Sequence, residues 1–411
     1  MKKNLLLAVG FMLSCGMGFA DSFTSGNGTE ASPYLISNAA ELQNMKTVLN
    51  ESGTTVFFEL AADVDMAGVN WKPFNAESPY KNKVSFDGKG HVIRNFTCHN
   101  EHYASFAGVM FGTIKNVAFV NADVSGDNSS SHIGIIAGYL GTSGIWGEVD
   151  NVYVQGKVTC TATGFQVGGL AGNMRFGKVS NCLVDVNVTS ATAGDLGTGG
   201  IVGYQYDGKN MKTPNAERNC VIENSYFCGS VSAPGCTVGG ILGKSENRWG
   251  NYMQGCISNA RTLVGNNDHV GAVCGQVYPA CVTAGRFTNN YALAGVKMMH
   301  GTTVFSPTRD ATFNQGVQYH GQLAAGTPAA TAQLLGWDSN VWTFTGTHPQ
   351  LKLFAVLTGV RGVTSSSRAV TAGAVYTLSG QRVAKPSGKG LYIVGGRWKS
   401  HTNLTHPVKV F

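Results

Sequence analysis

The residues of this chain that could do chemistry are few and loosely clustered. Two carboxylate pairs have a spacing of two: Asp63 and Asp65 in "AADVDMAG", and Glu148 and Asp150. On a strand that spacing puts both groups on one face, where a pair could divide acid and base work as in glycoside hydrolysis. The adjacent Asp-Asp pair used by pectin-type hydrolases is absent. A strand-end turn is the favoured role for Asp63 and Asp65, and sibling segments lack carboxylates at the places of Glu148 and Asp150. His99 and His102 stand near Cys98 and Glu101, a set that could hold a metal. No HExxH and no CxxC pattern occurs, which sets zinc proteases and zinc ribbons aside. "GKG" at 88–90 lacks phosphate-loop spacing and is read as a turn. No catalytic residue, metal ligand or cofactor is assigned.

A more suggestive pattern lies in a set of variable segments that carry aromatic residues: Trp146, Phe176, Tyr204, Tyr206, Trp249, Tyr252 and Tyr278. If these segments leave the same corner of successive turns, their rings form a row with a step of about 5 Å. Such a row offers large apolar area with polar handles to an extended glycan or peptide. The competing reading is that the rings fold down and seal the edge.

The elements that would position them come from a repeat. A glycine signature such as "VGGLAG" leads through a variable loop into a strand centred on Asn, as in "VSNCLVDVNV" with Val179, Asn181 and Leu183. Its first glycines are Gly108, Gly134, Gly168, Gly199, Gly239 and Gly271, and its second anchors are Asn116, Asn151, Asn181, Asn224, Gly255 and Asn289. From anchor to next glycine the distance is nearly fixed, at 15 to 18 residues, whereas the return to the anchor varies. A period of this kind marks a solenoid with insertions on one edge. Val184, Val186 and Val188, like Val117 and Phe119, alternate at period two, as strands do. Stacked copies of one strand pair in parallel. The glycines, Gly169 and Gly240 among them, are read as corners, with positive φ and another backbone close by. These rules predict an all-β, right-handed parallel β-helix of roughly eight coils, with its winding begun by a strand at 56–60.

"VGGLAG", "TGGIVG" and "VGGILG" resemble the GLUG repeat of bacterial surface proteins, and "GNGTEASPYLISNAAELQNM", "FFELAADVDMAGVNWKPF" and "SFDGKGHVIRNFT" resemble the region that precedes such repeats. The resemblance covers about residues 26–351. It implies the β-helix; for function it implies only a surface protein, since such repeats occur in adhesins and beside various enzymes. "VYTLSGQRVAKPSGKGLYIV" resembles the C-terminal module of secreted Bacteroidetes proteins, with Leu378, Gly380, Val383, Gly390, Tyr392 and Val394 matching. That likeness implies a sorting or anchoring role, but the long end "RWKSHTNLTHPVKVF" departs from the usual short basic finish.

Composition agrees. The chain has 411 residues, 13% charged, with 55 Gly, where about 25% charged is usual. The formal charge of +7 carries no basic run, which speaks against nucleic acid. Residues 1–20 read as an export signal, with Lys2 and Lys3, an apolar stretch at 5–13 and Gly18-Phe19-Ala20 as cleavage site; the alternative is lipidation at Cys15. No later apolar run reaches the ~20 residues of a membrane span. Ten cysteines become nine on cleavage, so not all can pair internally. Cys182 and Cys256 fit small stacked interior residues; Cys228 with Cys236 and Cys274 with Cys281 could close loops. Residues 38–49 read as a helix capped by Asn38 and Glu41, covering the first coil. Thr327-Pro328 opens a short helix through Leu335, and Trp337, Trp342, Leu351 and Leu353 are expected to cover the last coil.

The domain reading is therefore a signal peptide at 1–20, a cap and first coils at 21–95, repeats at 96–300, a closing segment at 301–358, and a linker with a β module at 359–411. The expected function is that of a secreted or cell-surface, adhesin-like monomer binding an extracellular glycan or a host or matrix protein along the solenoid edge. The alternatives are a carbohydrate-active lyase or hydrolase on the same scaffold, and a passive structural protein.

Overall fold

The computed structural model describes residues 23–359, with breaks at 50–53, 77–82, 129–131, 143, 210–212, 214–216, 247, 267–268 and 307–318, and then strands at 375–376, 382–383, 390–394 and 397–401. The export signal, Cys15, Leu378 and Gly380 lie outside the described residues. Two compact units are present, Met1–Ala355 and Val356–Phe411. The first is a parallel β-solenoid of about eight turns. The second holds a four-stranded antiparallel sheet, with Val375–Tyr376 between Arg382–Val383 and Gly390–Val394, and Arg397–His401 at the edge.

Each coil visits four faces in order. Face I is a nine-stranded sheet, face II a fourteen-stranded one, face III has four strands and face IV six. In one coil these are Gly177–Ser180, Leu183–Ser190, Gly194–Gly199 and Val202–Gln205. The variable loop joins face IV to the next face I. Side chains of like type stack in register inside. Phe58, Phe86, Ile114, Val149, Val179, Ile222, Met253 and Phe287 form one column along face I, and all are buried. Val124, Val158, Val188, Val231, Leu263 and Met298 form another along face II. Each such side chain contributes about 1.5–3 kcal/mol through burial.

The asparagines are the corners, not strand centres. Asn116, Asn151, Asn181, Asn224 and Asn289 sit between faces I and II with φ of 54°, 53°, 51°, 46° and 55°, and Gly255 takes the same place at 65°. Asn tolerates this left-handed region because its short amide bonds locally. Those amides form a ladder: Asn151 Nδ2 donates to Asn116 Oδ1 (2.8 Å), and Asn116 Nδ2 to Asp87 Oδ1 (3.0 Å). Asn181 Nδ2 donates to Asp150 Oδ1 (2.8 Å). One residue on, Cys182, Ser225, Cys256 and Asn290 are buried; the Cys182 amide donates to Ser225 Oγ, and that of Cys256 to Asn290 Oδ1. The nine described cysteines are free thiols, including Cys228, Cys236, Cys274 and Cys281.

The repeat glycines act through close approach, not through positive φ. Gly168, Gly199, Gly239 and Gly271 are in mutual register at the end of face III. A β-carbon on any of them would overlap the carbonyl oxygen three residues on, that of Ala171, Val202, Leu242 or Cys274. Gly134 belongs to the same column, since Ile133 pairs with Val167. Gly108 does not. Ala107 pairs with Ala137, and Ala137 with Ala171, so Gly108 matches Gly138 and Gly172, and Ala104 takes the first-glycine position. Hydrogen-bond register, which a glycine spacing does not contain, sets this alignment.

The ends are closed by different means. The helix Ala39–Leu49 buries Leu42, Met45, Val48 and Leu49 at the first coil. Asn38 Oδ1 accepts from the Glu41 amide, and the Glu41 carboxylate from the Ser37 amide. Trp71, Phe74, Phe86, Phe96 and Phe119 gather around Phe106 in the first coils. After the repeats, the helix Pro328–Leu334 starts at Thr327, whose hydroxyl accepts from the Ala330 amide. The segment beyond it does not seal the last coil; it runs back along the asparagine corner. Trp337 Nε1 donates to Gly255 O (2.9 Å), Trp342 Nε1 to Asn181 Oδ1 (3.4 Å), and Leu353 lies beside Gly90.

Two stability predictions follow from this geometry. Val at Gly169 or Gly240 would strike the carbonyl oxygen of Gly200 or Ala272 in the next coil, so each substitution should lower the melting temperature by several degrees in a thermal scan. At Asn181, Val should cost about 1–3 kcal/mol in chemical denaturation while Gly costs far less; equal losses would rule out left-handed strain as the cause.

Candidate functional site

The seven aromatic residues of the loop edge are all half-buried, and they meet in three groups. Trp146 closes the loop before Gly147–Asp150 and packs edge-to-face on Phe176 at 5.2 Å. Tyr204 and Tyr206 stack at 6.5 Å. Trp249 meets Tyr278 edge-to-face at 6.0 Å, and Tyr252 joins them from the face I strand Asn251–Gln254.

Arginines connect the groups, and sequence spacing missed them. The Arg175 guanidinium lies 5.8 Å from the Tyr139 ring and 4.9 Å from Tyr206, and Arg248 lies 5.0 Å from Tyr206. Arg218 lies 4.6 Å from Tyr252; Arg286 lies 4.7 Å from Tyr252 and 5.2 Å from Trp249. Arg286 Nη1 also donates to Trp249 O and the Tyr252 hydroxyl. Lys209 stands over Phe176 and Lys244 over Tyr204. A cation within about 6 Å of a ring contributes roughly 0.5–2 kcal/mol depending on desolvation. Tyr206 and Tyr252, each with two guanidiniums, are therefore not bare platforms. The signal in the sequence is a cation next to an aromatic in three of the loops: Arg175-Phe176, Arg248-Trp249 and Arg286-Phe287.

Beside this edge runs a column on face IV: Tyr139, Asn173, Tyr204, Lys244 and Gln276 in register. It alternates with the buried Leu140, Met174 and Gln205, so it lies on the opposite side of the strands. Even so, Asn173 is 5% exposed and Lys244 7%. Lys244 Nζ pairs with Asp195 Oδ2 at 2.5 Å, from the start of the face III strand Gly194–Gly199. The Tyr204 hydroxyl donates to Glu246; burial and that carboxylate push the phenol up.

The other candidates are engaged in structure. Asp63 binds Arg94 and His91 and accepts from the Val92 amide. Asp65 accepts from Asn95 and the Ala67 amide, which hold its carboxyl below the usual range. Asp150 accepts from Ser180 and Asn181. Glu101 pairs with Lys72, His99 faces Asp123, and His102 bonds Ala76 O. Cys98 is buried, which pushes its thiol up to about 12. His99, His102, Cys98 and Glu101 thus do not converge, and no metal-holding group of three or more such side chains is found among the described residues.

No family model matches the chain. Among solved structures, a Bacteroides ovatus protein described as a "putative immunoglobulin A1 protease" superposes with a TM-score of 0.66 at 30% identity, covering 80% of this chain and 95% of that one. The halomucin of Haloquadratum walsbyi is 32% identical over 38% of this chain and 2% of its own length. A "Putative Gly-rich membrane protein" of Evansella cellulosilytica is 28% identical over 34% of this chain and 16% of its own. The chain thus spans a small part of the curated relatives it matches. No helix of the described residues is long and apolar enough to cross a membrane.

His132 offers a pH readout of this edge. Its Nε2 bonds the Tyr139 hydroxyl, and burial, with the charges of Arg175 and His102, pushes its pKa down from 6.5 to about 3. The unfolded histidine takes up a proton near pH 6.5 and the folded one only near 3. Stability from the neutral ring is complete above 6.5 and is lost as pH falls through that window. The melting temperature should fall from pH 6.5 toward 3, and less steeply in His132→Gln; identical slopes would contradict the assignment.

Proposed function

The chain belongs to the same β-solenoid family as the Bacteroides ovatus protein, and from that premise we propose that it is an exported, GLUG-type surface protein of the Bacteroidetes kind that binds an extended glycan or matrix protein along its loop edge. The observation that carries this reading is the run of half-buried rings over successive coils, from Tyr139 to Tyr278, met by the half-buried Arg175 and Arg248, the exposed Arg218 and the buried Arg286. Repetition supplies avidity where one deep pocket would not. Export rests on the signal-like residues 1–20, and sorting or anchoring on the C-terminal sheet; both belong to the proposal, as does a monomeric state.

Binding is favoured over catalysis by where the reactive groups go. His91 bonds Asp63, His102 Ala76 O, His132 Tyr139, His348 Tyr226 and His320 the Ala272 amide, while His99 faces Asp123. Eight of the nine described thiols are pushed up, chiefly by burial, and a thiol so raised is a poor nucleophile. Proteolysis, which the Bacteroides ovatus protein's name assigns to it, finds no nucleophile–base pair in these contacts, and Asp63, Asp65 and Asp150, the carboxylates a lyase or hydrolase would use, are each held by structural hydrogen bonds.

The test is a glycan and matrix-protein array with the mature chain, repeated with Trp249→Ala/Tyr252→Ala. The double variant should lose most attachment while unfolding costs drop by only about 1–2 kcal/mol, against roughly 3–5 kcal/mol for one core aromatic. A collapse in melting temperature, with attachment lost only in proportion, would assign these rings to sealing the edge.

A further inference from the structure

Resting on that reading, we propose that the ligand of the edge is a neutral, hydroxyl-rich glycan, whose sugar rings lie on Trp146 and Tyr278 and whose hydroxyls meet the polar atoms of Trp146, Trp249 and Tyr278. A buried Trp or Tyr ordinarily bonds its N–H or O–H within the protein. The interior tryptophans do so: Trp71 Nε1 donates to Phe106 O, Trp337 Nε1 to Gly255 O and Trp342 Nε1 to Asn181 Oδ1. Along the edge, the hydroxyls of Tyr139, Tyr204, Tyr206 and Tyr252 are bonded to His132, Glu246, Arg248 and Arg286. Trp146 Nε1, Trp249 Nε1 and the Tyr278 hydroxyl have no such partner among the described residues, and none of them is shut off from water. Sealing the edge accounts for the ring bodies and leaves these three handles idle. Trp146 and Tyr278 each make a single ring contact, edge-to-face, and the cations of the two pairs stand over Phe176 and Trp249 instead. An edge-to-face contact occupies at most one face of a ring, so each keeps a face for the C–H side of a sugar.

Charge sets the class. The guanidinium N–H groups are given to the protein itself: Arg286 to Trp249 O and the Tyr252 hydroxyl, Arg248 to the Tyr206 hydroxyl, and Arg218 to Gln254. Lys209 pairs with Glu217. Of the four arginines, Arg175 alone bonds no protein atom among the described residues, and it lies against Tyr139 and Tyr206. One such cation does not offset the desolvation of a polyanion over several coils, and a polycation would be repelled by all four. A neutral hydroxyl meets neither cost; it accepts from an indole N–H and donates onward. Spacing sets the length. Trp146 adjoins Gly147, which is in register with Gly177, Cys220 and Asn251, and Trp249 stands two residues before Asn251. Three coil steps are about 14 Å, a span that one monosaccharide cannot bridge and a short chain of them can. A peptide's usual route, adding a strand to an open sheet edge, is closed here, because the strands of faces I and IV pair with the coils on both sides.

The experiment titrates the full mature chain, at low and at high salt, with neutral polymers (dextran, mannan, xylan, laminarin and any neutral glycan held on the array), with dextran sulfate and polygalacturonate, and with gelatin. At least one neutral polymer should bind, with affinities at the two salts within about twofold of each other. The acidic polymers and gelatin should bind at least about tenfold more weakly. Trp146→Phe/Tyr278→Phe keeps both rings and removes two handles. It should weaken binding about tenfold with the melting temperature unchanged, because neither handle has a partner in the protein to lose. Trp342→Phe, whose N–H is bonded to Asn181, should do the reverse, melting earlier while the folded protein binds as before. Tighter, salt-sensitive retention of the acidic polymers overturns the neutral assignment and leaves the binding edge standing. Retention of gelatin alone overturns the glycan class and likewise leaves the edge. Neutral binding indifferent to the Phe pair, or a Phe pair that melts as early as Trp342→Phe, overturns the role given to the handles. Retention of no polymer, together with a blank array, removes both this inference and the edge itself.

Discussion

Along the faces of the solenoid, neighbouring backbones lie one hydrogen-bonded strand spacing apart, about 4.8 Å. Whatever a coil does at a corner, the coils above and below must do in the same place. Side chains that would intrude are excluded where carbonyls cross, which is why the end of face III is glycine at Gly168, Gly199, Gly239 and Gly271. Where the chain turns between faces I and II, the same constraint selects a residue that tolerates left-handed φ and offers an amide to its copy in the next coil. Asn does both. Gly255 takes the corner without an amide, and a β-carbon there would press on Asn224 Oδ1.

The freedom of the fold is then concentrated in the loop between faces IV and I. Its length varies because no neighbour fixes it, and its side chains are the ones that differ from coil to coil. The scaffold still sets their spacing. Rings and guanidiniums from different loops meet at 4.6–5.8 Å because the strands that launch them are in register. An ordered surface thus arises from irregular segments.

Much of this was legible in the amino-acid sequence, and the exceptions have physical causes. Period-two alternation at Val184, Val186 and Val188 and the fixed anchor-to-glycine distance were enough for the parallel solenoid. The helix caps at Asn38 and Thr327 were legible because capping is local. Gly108 was placed one turn position late, since G-x-x-x-G spacing fits both Gly108 and the true position Ala104 once hydrogen bonds are unseen. The asparagines were recognised as anchors, but a left-handed φ leaves no mark beyond the residue type. Arg175, Arg218, Arg248 and Arg286 escaped notice because they sit at no constant spacing; only the folded edge makes them neighbours of rings. The tail with Trp337 and Trp342 follows the last coil in sequence, so it was expected at that end, while its seats lie on the side.

That returning tail changes how the molecule comes apart. A solenoid in which each coil touches only the next behaves as a one-dimensional chain, and its ends fray independently. Here Trp337 is bound at Gly255, Trp342 at Asn181, and Tyr226 shares a hydrogen bond with His348 at 2.6 Å. Leu353 reaches the turn at Gly90. One segment thus ties the late coils to the early ones, as a spine stitched across the pages of a book. Loosening the coil at Gly255 would draw on the contacts at Asn181 and at the Gly90 turn, so the coils from Gly90 to Gly255 are coupled beyond nearest neighbours.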